Sequence, residues 1–298
     1  MEFIKITDQC GYFQGAVNIG YIQAEDKGFL IDAGLEAAAA KKVVKHLQTY
    51  ALPFTHLFIT HAHSDHFGGA RYLKENYPIQ VIAPPLEAAI IENPVLEPIY
   101  LFQGTFPVKE LRNKFLEAPP VTVDRIVKAG EEEIDGVSFT IHSFPGHSYQ
   151  QIGIEYDRIL FAADAYFGIN ALHKHKIPFI VDYKMTLESL ERLSSLHLKG
   201  SVPGHGSYEE ALEETIRENI TCHQEILSLT EGFLKKKGEC GFEEIFAYLC
   251  REKDVKIAHL SSFLLFRTAV LAYIAHLIES EKAIFEIKDY QWFVKTIS

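Results

Sequence analysis

Through the first two-thirds of the chain, short apolar runs alternate with amphipathic stretches. Residues 17–22 and 28–32 read as strands joined by a turn at Glu25-Asp26-Lys27. Residues 36–50 carry the Ala, Lys and Leu content of a helix, Pro53 ends it, and 55–60 is a short strand of buried character. Gly68-Gly69 opens a second helix through Tyr77, and 79–83 returns to a strand. Strands follow at 137–143, 152–156 and 158–161, with turns marked by Asp135-Gly136 and Asp157. Residues 185–198 then place Leu187, Leu190 and Leu193 on one helical face. This alternation predicts an α/β fold.

From Tyr208 the texture becomes helical. Residues 208–237 form one long helix or two shorter ones. Phe242, Ile245, Phe246 and Leu249 keep helical spacing, as do Val270, Leu271, Ile274, Leu277 and Ile278. Segments 283–287 and 290–294 flank Lys288-Asp289 as a terminal β-hairpin. The change of texture divides the chain into a catalytic part over 1–207 and a small helical part over 208–298. Between 84 and 120 the prolines Pro84, Pro85, Pro94, Pro98, Pro107, Pro119 and Pro120 interleave with aromatic residues. That stretch is too apolar for a disordered linker. Two readings stay open: an ordered excursion covering a pocket, or a packing insertion with no part in the site.

Composition adds exclusions. The 298 residues are 47% hydrophobic and 23% charged, ordinary for a globular protein, with a formal net charge of -11. An acidic chain is repelled by nucleic acid and by anionic membranes unless a basic patch is segregated. Cys10, Cys222, Cys240 and Cys250 are far apart without a C-x-x-C pair, so they read as reduced thiols. The N-terminal residues lack the basic start and apolar core of a signal peptide. No run of about 18 apolar residues stands out, so the expected location is the cytoplasm, with no membrane span.

The candidate chemistry lies where strands end. His61-Ala62-His63-Ser64-Asp65-His66 follows the strand ending at Thr60. His147 sits in Phe144-Pro145-Gly146-His147-Ser148, Asp164 ends Leu160-Phe161-Ala162-Ala163-Asp164, and His205 sits in Val202-Pro203-Gly204-His205-Gly206. Imidazole nitrogen suits Zn²⁺ and similar divalent ions, and carboxylate oxygen adds charge and can bridge. Gly146, Gly204 and Gly206 allow the backbone to bring a ligand close. A single such histidine reads as an ordinary surface or core residue, but the ordered set does not. Its five imidazoles and two carboxylates are enough for two divalent metals with a water between them. Such a water ionises near neutral pH, which points to hydrolysis.

With these motifs, over about residues 1–207, the chain resembles the metallo-β-lactamase superfamily. Asp32 in Ile31-Asp32-Ala33-Gly34, the H-x-H-x-D-H segment, His147, Asp164 and His205 match that superfamily's five motifs. The resemblance implies a four-layer αββα sandwich with metals at one edge of its sheets. It implies His61, His63 and His147 at metal 1, Asp65, His66 and His205 at metal 2, and Asp164 bridging. It also implies a supporting hydrogen-bonding role for Asp32, whose residue-level alternative is a strand-end cap of the next helix. Zn²⁺ is the first expectation for both metals, with Fe or Mn suited to the same donors. Asp65 could orient the water or take up a proton. Tyr166, two residues past Asp164, could donate its hydroxyl to an oxyanion as tyrosines do in related lactonases, or line a hydrophobic wall with Phe167. His173 and His175, in Leu172-His173-Lys174-His175-Lys176, read as a loop facing the site with one of them touching substrate, or as a solvated basic loop.

The ligand set implies an acyl hydrolase, lactonase, phosphodiesterase or nuclease. True β-lactamases of the superfamily often carry Cys where Asp164 stands, and its flavodiiron branch usually has Glu where His63 stands. The leading expectation is hydrolysis of a small ester-like substrate, a thioester or lactone. Glyoxalase II enzymes share the motif, but their glutathione-binding cations are not evident in the C-terminal helices. The alternatives are a phosphodiesterase or nuclease, a mononuclear iron dioxygenase of sulfur compounds, and a non-catalytic binding module. Residues 209–298 resemble a winged-helix module in order of elements. Winged helices often bind DNA, yet this segment holds 11 Lys/Arg against 16 Asp/Glu, a balance of 11 − 16 = −5. The module is therefore read as serving packing, pocket closure or dimerisation into a homo-oligomer.

Overall fold

The computed structural model describes residues 1–297. Its first sheet runs in chain order, β1 (Glu2–Lys5), β2 (Cys10–Gln14), β3 (Ile19–Ala24), β4 (Lys27–Ile31), β5 (His56–Phe58), β6 (Gln80–Ala83) and β7 (Arg125–Ile126). The first four strands are antiparallel, and β4 to β7 are parallel. Crossovers between the parallel strands carry α1 (Ala37–Thr49), α2 (Ser64–Phe67), α3 (Ala70–Asn76), α4 (Pro85–Glu92) and α5 (Leu96–Leu101). The second sheet holds β8 (Gly130–Ile134), β9 (Val137–Ser143), β10 (Ile152–Tyr156), β11 (Ile159–Ala163) and β12 (Gly200–Pro203), in the order β12-β11-β10-β9-β8. Between β11 and β12 lie α6 (Ile169–His175) and α7 (Tyr183–Ser194).

The two sheets pack face to face over Ile22, Phe29, Phe58, Phe139, Ile154, Phe161 and Val202. On the outside of the first sheet, Val43, Val44 and Leu47 of α1 and Leu73 of α3 are buried against Leu30, Leu57 and Val81. On the outside of the second, Leu190 and Leu193 of α7 pack with Phe144, Leu160 and Ile216. The layers are therefore αββα, as expected.

Beyond the sandwich come α8 (Glu213–Lys237), β13 (Glu239–Gly241), α9 (Phe242–Glu252), α10 (Leu260–Glu279), β14 (Ala283–Lys288) and β15 (Gln291–Thr296). β13, β15 and β14 form a small antiparallel sheet in that order. Its core includes Ile226, Ile245, Leu249, Val270, Tyr273 and Val294, together with Ile177, Ile180 and Tyr183 from the sandwich side. Helix α10 has a mean hydropathy of 1.6 and is long and apolar enough to cross a bilayer by length and composition, against the expectation that no such run is present. It buries Leu264, Ala269, Val270, Ala272, Tyr273, Ile274 and Leu277 inside the protein.

Several boundaries differ from the expectation. Strands β1, β2, β7, β8, β12 and β13 were not read from the pattern, and the long helix starts at Glu213 rather than Tyr208. The 84–120 stretch is ordered into α4, α5 and a 3₁₀ turn at Lys109–Leu111. It packs Leu101, Leu111 and Leu116 against Leu264 of α10, so it is a bridge to the C-terminal helices. Among the described residues all four cysteines are free.

Candidate metal centre

All seven donor residues meet at one edge of the sandwich, each delivered by the C-terminal end of a strand or the turn after it. His61 follows β5, and His63, Asp65 and His66 lie on or just before the single turn of α2. Asp65 and His66 are helical. His147 sits in the β9–β10 turn, Asp164 just past β11 and His205 just past β12. The pairing of β11 with β12 shifts register between Phe161 and Ala163, and Ala163 has φ 48°. Such a bulge re-aims the next side chain, here Asp164.

The donor atoms converge. His63 Nδ1 lies 3.1 Å from His61 Nε2 and 2.9 Å from His147 Nε2. Asp164 sits centrally, with Oδ1 3.4 Å from His66 Nε2 and Oδ2 3.3 Å from His147 Nε2 and 3.4 Å from His205 Nε2. Asp65 Oδ2 is 3.4 Å from His205 Nε2. Three groups have ligand atoms all within 4.8 Å of one another: His61, His63 and His147; Asp65, His66 and His205; and His61, His66 and Asp164. The first two are the triads implied for metals 1 and 2, and the third places Asp164 between them.

Supporting bonds turn the rings inward. Asp32, buried and held at φ 65°, accepts from His66 Nδ1 at 2.7 Å and from the Thr60 backbone amide at 2.9 Å. The Thr60 hydroxyl donates to Asp32 and accepts from His61 Nδ1 at 3.0 Å. His147 Nδ1 donates to the Phe179 carbonyl at 3.0 Å, and His205 Nδ1 to the Ala16 carbonyl at 2.8 Å. Each bond fixes a tautomer whose Nε2 lone pair faces the cluster. The capping alternative for Asp32 is not what the chain does: α1 begins at Ala37, its N-cap position is Glu36, and it has no side-chain cap.

Protonation fits the same picture. Burial, reinforced by neighbouring imidazoles, holds His61 well below its ordinary value and His63 at about 3, and burial also lowers His147. These rings are neutral near pH 7 and can ligate. Burial also lowers His66 and His205, but Asp164 and its fellow carboxylates outweigh it, leaving His66 well above its usual range and His205 at about 10. Buried His66 Nε2 and Asp164 Oδ1 have no hydrogen-bond partner. A cation at this point would satisfy both, so the donor set fits divalent ions.

Two glycines make the approach possible. A Cβ on Gly204 would lie 2.1 Å from Asp164 Oδ1, and one on Gly146 would lie 2.4 Å from the Thr186 backbone nitrogen. Gly146 also has φ 127°, which L side chains rarely adopt.

The donors open into a cavity of about 360 Å³. Its walls include Phe115 and Leu116 from the Pro-rich excursion, Phe167, His175 and Phe179 from the sandwich, and Ser262, Leu265 and Phe266 of α10. A larger groove of about 640 Å³ around Arg71, Glu75 and Glu92 lies away from the donors. The 84–120 excursion thus contributes to the pocket cover as well as to packing.

One expected site residue lies elsewhere, and of the pair His173 and His175 one reaches the cavity. Tyr166 is buried with Phe144, Leu160 and Leu190 behind the second sheet and is absent from the cavity wall, where Phe167 stands instead. His173 is exposed, whereas His175 lines the cavity. The segment is helix α6 rather than a loop, and two residues along a helix rotate a side chain by roughly 200°.

Four residues that the sequence reading did not single out help build the site. Glu87 of α4, fully buried, accepts from the Ala62 amide at 2.9 Å and from the Ser148 hydroxyl and Gln150 amide at 2.7 Å. It ties the His61–His66 turn to the His147 turn. Burial raises its pKa despite these bonds. Asn18 donates to the Pro203 and Gly206 carbonyls and so holds the His205 turn. Asn219 of α8 bonds both backbone groups of Phe167. Glu97 of α5 faces the cavity itself. The available signal for Glu87 and Glu97 was a lone carboxylate within an apolar run.

The sandwich, with metal-type donors along one edge, defines a class, and the chain belongs to it: the sequence model of the metallo-beta-lactamase superfamily matches residues 12–205. Among curated proteins the chain is similar to hydroxyacylglutathione hydrolase of Rhodopseudomonas palustris (strain BisB5), 28% identical over 182 residues, 60% of this chain and 58% of the relative. It is likewise similar to the hydroxyacylglutathione hydrolase of Nitrobacter winogradskyi, 29% identical over 165 residues, 55% of this chain and 52% of the relative. The chain thus spans a little over half the length of these relatives. In fold it is similar to a beta-lactamase domain protein from Burkholderia ambifaria, TM-score 0.77 at 14% identity, over 99% of this chain and 95% of that one. A metallo-beta-lactamase family protein from Thermus thermophilus gives TM-score 0.70 at 19% identity, over 93% of each chain.

Proposed function

We propose that the protein is a metal-dependent hydrolase of a small ester-like acyl compound, of the thioester or lactone class. The observation that carries this reading is the convergence of metal-type donors from separate chain segments on one point in the wall of a largely apolar cavity. The His61–His66 turn, His147, Asp164 and His205 each contribute, with Asp32 supporting them from behind. His61, His63 and His147 would hold one divalent ion, Asp65, His66 and His205 a second, with Asp164 between them. When bound, such ions supply the Lewis acidity that ionises water near neutral pH and polarises a carbonyl.

The chain's own residues do the rest. Phe115, Phe167, Phe179 and Phe266 enclose the acyl group and exclude bulk water. Asp65, on the cavity wall and close to His205, is placed to orient the attacking water and hold its proton. Asp32 and Glu87 keep the ligand turns in register, so little rearrangement is needed during reaction. The relatives named hydroxyacylglutathione hydrolase add support for an acyl substrate.

The test is turnover of thioester and lactone panels by metal-loaded protein, beside His61→Ala. Hydrolysis of at least one acyl class, reduced by about a thousandfold or more in His61→Ala, is expected. Inactivity on every acyl substrate, with phosphodiester cleavage and a salt-dependent shift of labelled RNA or DNA, would replace the proposal.

A further inference from the structure

Glu97 is a buried carboxyl without a partner. It is 3% exposed and lies on the cavity wall with His63 and Asp65. Among the described residues it receives no hydrogen bond and no cation. Its charged surroundings are two more acids, Asp65 and Glu87, and burial with those neighbours pushes its pKa well above the usual range. Glu87, one helix earlier, has three donors for the same burial. A lone buried carboxyl destabilises the fold by its desolvation, so its position in a binding cavity points to a ligand group that completes it. The rest of the wall narrows that ligand. Beyond the metal-type donors, Glu97, His175 and Ser262, it is Phe115, Leu116, Phe167, Ile177, Phe179, Leu265 and Phe266, with no Lys or Arg among the described lining residues.

We infer that Glu97 is a specificity-determining residue: the cavity takes an otherwise apolar acyl group whose hydroxyl or N–H donates to Glu97, and it disfavours acyl groups with an anionic tail. This rests on the reading of the cavity as an acyl site. The apolar walls bury the chain, the Glu97 carboxyl oxygen accepts the donor, and a carboxylate there loses its hydration beside Asp65 with no Lys or Arg from the wall to pair with it. The excursion and α10 close the pocket together, since Leu116 and Leu264 share one cluster and Glu110 accepts from the Leu260 amide at 3.2 Å. Selectivity is thus built from segments outside the ligand motifs.

Calorimetry on metal-loaded protein with three non-hydrolysable probes tests this: hexanamide, its ω-hydroxy derivative and its ω-carboxylate derivative. The ω-hydroxy probe is expected to bind severalfold more tightly than hexanamide and at least about tenfold more tightly than the carboxylate. Glu97→Leu is expected to abolish the hydroxyl preference, keep hexanamide binding and raise Tm, because an isolated buried acid is replaced by an apolar side chain. Glu97→Gln, whose amide oxygen can still accept, is expected to keep part of the hydroxyl preference. Equal binding of the three probes by the parent protein, or tightest binding of the carboxylate, would overturn the inference. So would Glu97→Leu lowering Tm and losing all probes, the outcome of a structural role. Turnover of the matching thioesters is read separately: ranked binding without turnover leaves Glu97's role standing and removes the hydrolase reading, while turnover without ranking does the reverse.

Discussion

Asp32 shows how much of the site is set by one side chain outside the donor set. Its carboxylate accepts from His66, the Thr60 amide and the Thr60 hydroxyl, and through that hydroxyl it also steadies His61. One residue therefore orients a ligand of each triad. Asp32→Asn preserves shape but presents an N–H to at least one of these donors. Metal affinity or kcat is expected to fall by about 10–100-fold with the fold retained, read by metal titration beside circular dichroism. The donor residues were legible because ligand types recur in a fixed order at strand ends. Glu87 and Glu97 were not, because a carboxylate in an apolar run carries no spacing signal. Tyr166 was misplaced for a different reason, and between His173 and His175 the sequence did not choose. Sequence proximity to Asp164 says nothing about which way a side chain turns, and the helical geometry of α6 selects His175 over His173.

At the scale of elements, the C-terminal helices provide two measurable consequences. His223 of α8 is buried and hydrogen-bonded to the Tyr273 hydroxyl of α10 at 2.7 Å. Burial, with His147 adding, lowers its pKa from 6.5 to about 4. Between these values the unfolded chain binds the extra proton, so the contribution to stability is complete above about 6.5 and is lost as pH falls towards 4. The whole window is worth on the order of 3 kcal/mol. Tm of the parent protein should drop between pH 7.5 and pH 5 by more than that of His223→Gln, and equal drops would contradict this account of the α8–α10 contact. Leu264 is the α10 residue buried against Leu101, Leu111 and Leu116. Leu264→Ala is expected to cost about 2–4 kcal/mol in denaturant unfolding and to raise KM more than it lowers kcat, since it loosens the pocket cover without touching the donors. Periodicity read α1, α3, α7, β5, β6 and the terminal hairpin to within a few residues. It failed for β1 and β2, for the short β7, β12 and β13, and for β8, whose Glu131, Glu132 and Glu133 give no apolar alternation. Sheet pairing holds these strands in place, and pairing is not visible in a local pattern.

For the whole molecule, the change of texture near residue 207 marks where the family match ends, at residue 205. It does not mark a break in packing. Ile177, Ile180 and Tyr183 share a core with the C-terminal helices, Asn219 holds the segment after Asp164, and α10 supplies part of the cavity wall. The C-terminal part and the 84–120 excursion shape the cavity mouth, which is why a sequence rich in ligand information says little about substrate. The donors from the two sheets come together only when the sandwich is assembled, so metal binding and folding are linked: ions that bind the folded state alone raise Tm by mass action. The central claim is that these seven residues hold two divalent ions, and elemental analysis of purified protein after metal loading and desalting tests it most directly. The account predicts about two ions per chain in the parent protein, about one or fewer in Asp164→Ala, and loss of both with lowered Tm on chelation. A parent protein that retains no metal, or an Asp164→Ala variant that retains as much as the parent, would contradict it.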